Sequence, residues 1–248
     1  MAHRILAACG CHRGKVRRNN EDNFWFHGNC LPAENRGADS VLTLELPGSK
    51  GLFFAVFDGM GGEAYGEVAA WSAAMGVGKY PEKKLFQKAD AYLEELTQQL
   101  NLEVFAAAKA MGVDRMGATL VGLYLDKNCA WGVNLGDSRG FCLRDGVLTQ
   151  FSKDHTDGSL GRRKPGLTQY LGIDPMELML EPHFAELPLQ AGDRFLLCSD
   201  GVTDMVSEAR IASLMEGETP KACVESLLQE ALEQGGRDNI TAIVIFVM

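Results

Sequence analysis

The sequence predicts an α+β fold: a four-layer α/β/β/α sandwich, with two packed, mainly antiparallel sheets flanked by helix pairs. Three observations predict it. Short strand patterns come in runs joined by tight turns. The helical patterns are set apart from them in two pairs, giving strands, two helices, strands, two helices and one last strand. No repeat, linker or low-complexity segment divides the 248 residues, so residues 1–248 read as a single domain.

Residues 4–12 alternate loosely and read as the opening strand. A polar turn crowded with charge follows, Gly14 through Asp22, and Phe24-Trp25-Phe26 restores apolar character as a second strand. Residues 28–50 hold Asn, Pro, Gly and Ser and read as a long loop with a short hairpin around Val41–Leu46. Phe53-Phe54-Ala55-Val56-Phe57 is a continuous apolar run ending in Asp58-Gly59, the pattern of a buried strand. Residues 64–80 and 85–111 carry apolar residues at helical spacing and read as helices packed on a sheet.

From residue 117 the period shortens to strands at 117–125, 129–136, 139–144 and 147–151. Asp126-Lys127-Asn128 and Asp145-Gly146 supply the turns. Residues 152–166 form a polar, basic surface loop. Strands at 178–187 and 193–199 precede helices at 204–216 and 219–234, the second closed by Gly235-Gly236. Asn239 through Val247 is a strongly β-branched final strand.

Composition narrows the function. Hydrophobic content of 46% supports a sizeable core, and a net charge of −9 disfavours a nucleic-acid partner. No apolar stretch is long enough to span a bilayer, so no membrane partner is expected. Leu6-Ala7-Ala8-Cys9 has the look of a lipoprotein cleavage site, but the five residues before it supply no apolar signal core. Seven scattered cysteines without a Cys-x-x-Cys pair indicate a reducing cytoplasm and mostly buried thiols. His3, Cys9, Cys11 and His12 fit an alternating strand better than a zinc site.

Asp58 ends an apolar strand, and Asp200 ends a second one at Phe195-Leu196-Leu197-Cys198-Ser199-Asp200-Gly201. One Asp-Gly is usually a plain turn. Two of them, beside Glu21, Asp22, Asp137 and Asp238, form a joint pattern. Carboxylates that meet would repel unless a cation lies between them. A set of oxygen donors without His or Cys prefers a hard divalent ion, Mg²⁺ or Mn²⁺.

These residues resemble the metal-dependent serine/threonine protein phosphatases of type 2C, the PPM phosphatases. The likeness is carried in order by Arg17 through Glu21-Asp22, Asp58-Gly59-Met60-Gly61-Gly62, Gly117-Ala118-Thr119, Gly136-Asp137-Ser138-Arg139, Ser199-Asp200-Gly201 and Asp238-Asn239-Ile240-Thr241. The resemblance implies that Asp58 bridges two core ions and that Asp200 and Asp238 complete one of them. It implies that Glu21 and the Gly59 carbonyl hold the other, with Asp22 orienting its waters. Asp137, with Asp200 and Asp204, matches positions for a third, weaker ion. Arg17 matches the residue that grips the substrate phosphate, and Ser138, Arg139, Asn239 and Thr241 are expected to fix turns and caps. Hydroxide made between the two ions would attack the phosphorus of phosphoserine or phosphothreonine.

Two departures stand out. Met60 replaces a histidine found in many relatives, which leaves His155 and His183 as candidate acids. The segment 156–166 is short and basic, a shortened flap in which Arg162, Arg163 and Lys164 are expected to touch acidic or phosphorylated substrate. The resulting expectation is a cytoplasmic, monomeric phosphoprotein phosphatase that opposes a serine/threonine kinase and acts on its substrates. The competing readings are a catalytically silent phosphoprotein- or kinase-binding module and a phosphohydrolase of small molecules.

Overall fold

The computed structural model describes residues 3–47, 51–60, 65–80, 88–113, 115–158 and 165–248. One sheet holds six strands in the order β3 (Leu42–Pro47), β1 (Arg4–His12), β11 (Ile240–Val247), β10 (Arg194–Cys198), β7 (Arg139–Arg144) and β8 (Val147–Gln150). The other holds five, in the order β2 (Asp22–Phe26), β4 (Leu52–Asp58), β5 (Leu120–Leu125), β6 (Cys129–Leu135) and β9 (His183–Pro188). Every pairing between these strands is antiparallel.

Alternation along each strand sorts its side chains into layers. In β4, Leu52, Phe54 and Val56 enter the core between the sheets, while Ala55 and Phe57 face the first helix pair. In β11, Ile243, Ile245 and Val247 join the inter-sheet core, and Ile240, Ala242, Val244 and Phe246 face the other helices. A strand buried on both faces has no polar position to spare, which is why β11 reads as one β-branched run.

Helices α1 (Gly66–Lys79) and α2 (Ala89–Met111) cover the five-stranded sheet. Small residues Ala69, Ala70, Ala73 and Ala74 let α1 lie close to it, and Leu93, Leu96, Leu100 and Val104 form the buried stripe of α2. Gly112 ends α2 at φ 69°, a left-handed cap. Helices α3 (Asp200–Thr203), α4 (Glu208–Leu214) and α5 (Pro220–Glu233) cover the six-stranded sheet. The Thr219 hydroxyl accepts the Ala222 N–H at 3.1 Å and Pro220 opens the first turn, so α5 starts where its sequence says. The four-layer sandwich is the predicted one.

Several boundaries differ. Residues 42–47 make no hairpin of their own; β3 pairs with β1 in the register Cys9↔Leu42, which turns Leu42, Leu44 and Leu46 onto the inter-sheet core. The helix expected over 204–216 spans only Glu208–Leu214, where the Ser207 side chain caps its start by accepting the Arg210 N–H. The strand expected from 178 begins at His183: an Asp174 side chain takes the Met176 N–H at 2.9 Å and holds the preceding residues in a turn. The strand expected from 117 begins at Leu120, since Ala118 bridges both Gly59 and Leu171. Arg162, Arg163 and Lys164 lie outside the described residues, as do Gly61 and Gly62. Of the seven cysteines, Cys9, Cys11, Cys142, Cys198 and Cys223 are buried. Cys9 and Cys11 point into the inter-sheet core, whereas the ring of His12 accepts the Gly14 N–H at 2.8 Å.

Candidate active site

The inter-sheet faces of four strands run out at one end of the sandwich, and there they turn polar. In β4 the series Leu52, Phe54, Val56 continues to Asp58. In β2 the pair Phe24 and Phe26 is preceded by Asp22. Beyond Phe195 and Leu197 the same face carries Ser199, and ahead of Ile243 in β11 it carries Thr241. Strand register then sets Asp22 directly opposite Asp58. Like charges facing across an antiparallel pair destabilise it.

Asp22 is buried, 1% exposed. Its Oδ2 accepts the Ser199 hydroxyl at 2.7 Å and the Thr241 hydroxyl at 2.6 Å. Its Oδ1 is buried and has no hydrogen-bond partner among the described residues. Burial pushes the Asp22 carboxyl up to about 7; the two hydroxyls pull it down, and Asp200 and Asp238 push it up again. Asp58 keeps partial contact with solvent, yet the atoms packed about its carboxyl exclude enough water to lift it well above the carboxylate range. Repulsion from Asp200, Asp22, Asp137 and Asp238 adds to that rise. Five of the predicted acids therefore feel one another across the same opening.

The N-terminal turn brings Arg17 and Glu21 to this opening. Arg17 donates to Asp238 Oδ2 at 2.8 Å. Burial opposes the guanidinium charge, but the Asp238 contact, with Glu21 and Asp58 nearby, outweighs it and raises its pKa. Burial raises Glu21 as well; Arg17 lowers it and Glu67, in the first turn of α1, raises it. Asn19 reaches both, at 3.5 Å to Glu21 and 3.3 Å to Glu67. Gly59 donates its N–H to the Glu21 carbonyl at 3.0 Å, and a Cβ there would collide with the Gly66 carbonyl oxygen. At Gly201 a Cβ would collide with the Asn239 carbonyl oxygen, so the Asp-Gly ending of β10 can take no larger residue.

The remaining predicted residues are placed as follows. Asp137 lies among the acids that raise Asp58, in the turn between β6 and β7. Asp204 is exposed at the C-cap of α3, one turn beyond Asp200, with its N–H on the Asp200 carbonyl at 2.7 Å. Ser138 shares a 2.7 Å hydrogen bond with Thr119, whose hydroxyl accepts the Asp58 N–H at 3.0 Å. Arg139 grips Asp154 through two nitrogens, and Asn239 donates its N–H to Asp238 Oδ1 at 2.9 Å. His155 accepts the Gly136 N–H at 3.3 Å, a contact outside the carboxylate group; burial and the nearby His183 lower its pKa. Met60 packs against Gly117.

Sequence reasoning missed Ser199 and Glu67. For Ser199 the signal was available, since every second residue back from it belongs to the inter-sheet core. For Glu67 there was none, because its nearness to Glu21 depends on how α1 meets the N-terminal turn.

Among the described residues, no three His, Cys, Asp or Glu side chains gather tightly enough to hold an ion as they stand. The donor set nevertheless fits a hard divalent cation. It is made of carboxylates and backbone carbonyls, it is crowded with like charge, and Asp22 Oδ1 is a buried oxygen with no donor of its own.

Residues 35–234 match the family model described as Protein phosphatase 2C. The chain is 29% identical over 253 residues to a serine/threonine phosphatase, stp, of Listeria innocua, covering 94% of this chain and 92% of that protein. It is 30% identical over 250 residues to the serine/threonine protein phosphatase PstP of Mycobacterium tuberculosis, covering 95% of this chain and 44% of that longer protein. Among solved structures it is similar to PppA, a key regulatory component of T6SS in Pseudomonas aeruginosa. That likeness has a TM-score of 0.80, 30% identity and 98% coverage of both chains. It is also similar to the catalytic domain of PstP in complex with two manganese ions, with a TM-score of 0.78, 29% identity and 99% coverage of both chains. The chain belongs to the protein phosphatase 2C family.

Proposed function

We propose that this phosphatase, working through residues 1–248 as one catalytic domain, hydrolyses phosphoserine and phosphothreonine in proteins and so opposes a serine/threonine kinase. The observation that carries the reading is the pairing of Asp22 with Asp58 at the mouth between the sheets, with Asp200 and Asp238 close enough to raise both. Arg17 stands at the rim of the same mouth, 40% exposed along its side chain.

Asp58, Asp200 and Asp238 would hold one ion, and Asp58, Glu21 and the Gly59 carbonyl a second, Mn²⁺ or Mg²⁺. Asp137, with Asp200 and Asp204, would take a weaker third. Divalent ions held by these residues would lower the pKa of water and so supply a hydroxide nucleophile at neutral pH. Asp22 would orient water through Oδ1, the oxygen without a hydrogen-bond donor among the described residues. Arg17 turns its planar fork onto two oxygens of the substrate phosphate, leaving Asp238 to the cation. The phosphorus–oxygen ester bond breaks, and the serine or threonine oxygen takes its proton from water, because Met60 has none to give. No residue forms a covalent bond to phosphorus; Cys198, the nearest thiol in sequence to Asp200, is buried in the core beneath α3.

The enzyme is read as monomeric, cytoplasmic and part of a signalling circuit. Among the described residues no helix is long and apolar enough to cross a membrane. The test is release of phosphate from a phosphothreonine peptide with Mn²⁺, alongside a panel of nucleotides. Turnover of the peptide that vanishes in Asp58→Asn is expected. A protein that binds the peptide without turning it over is instead a silent binding module, and preference for nucleotides would replace the reading with small-molecule hydrolysis.

A further inference from the structure

Two hydroxyls behind the carboxylates form a closed arrangement. The Thr241 backbone N–H donates to Ser199 Oγ at 3.0 Å, which uses one lone pair of that oxygen and turns its single proton toward Asp22. The Thr241 hydroxyl points its own proton at the same Asp22 oxygen, Oδ2. Both hydroxyls are buried, at 0% exposure. The Cys11 sulfur lies 3.1 Å from the Thr241 hydroxyl oxygen, behind it, and Cys11 is itself held by the Asn20 side chain at 3.1 Å. Three strands, β1, β2 and β11, and the end of β10 are tied together at this point.

The effect on Asp22 is asymmetric. Oδ2 is saturated by two short hydrogen bonds, whereas Oδ1 has none among the described residues although it is buried. A carboxylate whose Oδ2 is held by two hydroxyls is kept from rotating to share its oxygens, which leaves Oδ1 as the oxygen without a hydrogen-bond donor among the described residues.

We propose that Ser199 and Thr241 are positioning residues that fix Asp22 so that Oδ1 alone meets the divalent cations or their waters. Resting on the phosphatase reading of this site, the inference adds that cation affinity is set by two hydroxyls that touch neither cation nor substrate. Orienting contacts of this kind are worth about 10- to 100-fold in metal affinity.

The experiment measures Mn²⁺ binding by titration calorimetry and by the loss of the free-ion electron paramagnetic resonance signal. It uses wild type, Ser199→Ala, Thr241→Val, which keeps the shape without the hydroxyl, and Thr241→Ser, which keeps the hydroxyl without the methyl. Mn²⁺ affinity is expected to fall about tenfold in Ser199→Ala and in Thr241→Val and to stay within twofold of wild type in Thr241→Ser. Near-ultraviolet circular dichroism confirms that each variant is folded. At saturating Mn²⁺, kcat should recover most of its wild-type value while the Mn²⁺ requirement stays shifted. Unchanged Mn²⁺ affinity in folded Thr241→Val overturns the proposal, and so does an equal loss in Thr241→Ser, which would make the site one of packing. If Thr241→Val does not fold, Ser199→Ala against wild type decides alone. Wild-type protein that binds no Mn²⁺ would instead defeat the phosphatase reading itself.

Discussion

Asn239 takes the Glu21 N–H on its side-chain oxygen at 2.8 Å, joining residues 218 positions apart. The same amide donates to the carbonyls of Arg13 at 2.8 Å and Asn19 at 3.0 Å. One side chain therefore pins the whole N-terminal turn that carries Arg17, Glu21 and Asp22. A buried group stripped of its partners costs about 1–3 kcal/mol. Asn239→Ala should destabilise the protein by about 2 kcal/mol or more in urea unfolding, and should lower activity further than that loss explains, because Glu21 and Arg17 lose their positions together. Full activity in a folded Asn239→Ala variant would show that the turn holds itself.

Arg17 and Asp238 form the second test. Hydrogen bonds to charged groups are worth about 1.5–3 kcal/mol, so Arg17→Ala should lower kcat/KM on a phosphopeptide about 10- to 100-fold. Arg17→Lys should rescue only part of it, since an ammonium cannot fork onto two phosphate oxygens. Equal kinetics for wild type and Arg17→Ala would remove Arg17 from phosphate binding.

The crowded carboxylates make the stability of metal-stripped protein depend on pH with a known sign. The Asp22 carboxyl rises from an ordinary 3.8 to about 7, and Asp58 moves in the same direction. The folded chain thus binds more protons than the unfolded chain between about pH 4 and 7. Stability in EDTA should fall as pH rises through that window. Added Mn²⁺ should raise Tm most above pH 7, where the carboxylates are ionised and available, and least near pH 5, where protons compete. A Tm in EDTA that climbs steadily from pH 4 to 7 would contradict this crowding.

The thiols supply a test of the packing alone. Burial raises Cys11 and Cys198 to about 12, and raises Cys9 as well. Cys30 and Cys129 are only half-buried. A thiol reagent at neutral pH should modify Cys30 and Cys129 first and reach Cys9, Cys11 and Cys198 only at the rate of unfolding. Labelled peptides read by mass spectrometry give the order directly.

At the centre of the inter-sheet core, Phe54 is 0% exposed and meets Phe26 with ring centroids 5.7 Å apart. Phe54→Ala should cost about 3–5 kcal/mol, measured by chemical denaturation.

The residues themselves determined the layers. Apolar runs of period two, the Asp145-Gly146 turn with both residues at positive φ, and the Thr219-Pro220 start of α5 are local chemistry, and each was legible from neighbours along the chain. The acids at strand ends were legible too, because a carboxylate closing an apolar run has few other places to go. Tertiary structure alone decided which carboxylates meet. Asp22 faces Asp58 through strand register, and Glu67 approaches Glu21 through helix placement. The choice of β1 as partner for β3, and of Asp22 as acceptor for Ser199 and Thr241, was settled the same way. Spacing along a chain fixes which side a residue faces, but distance across it depends on the packing of whole sheets, and that sum is not written in any one segment.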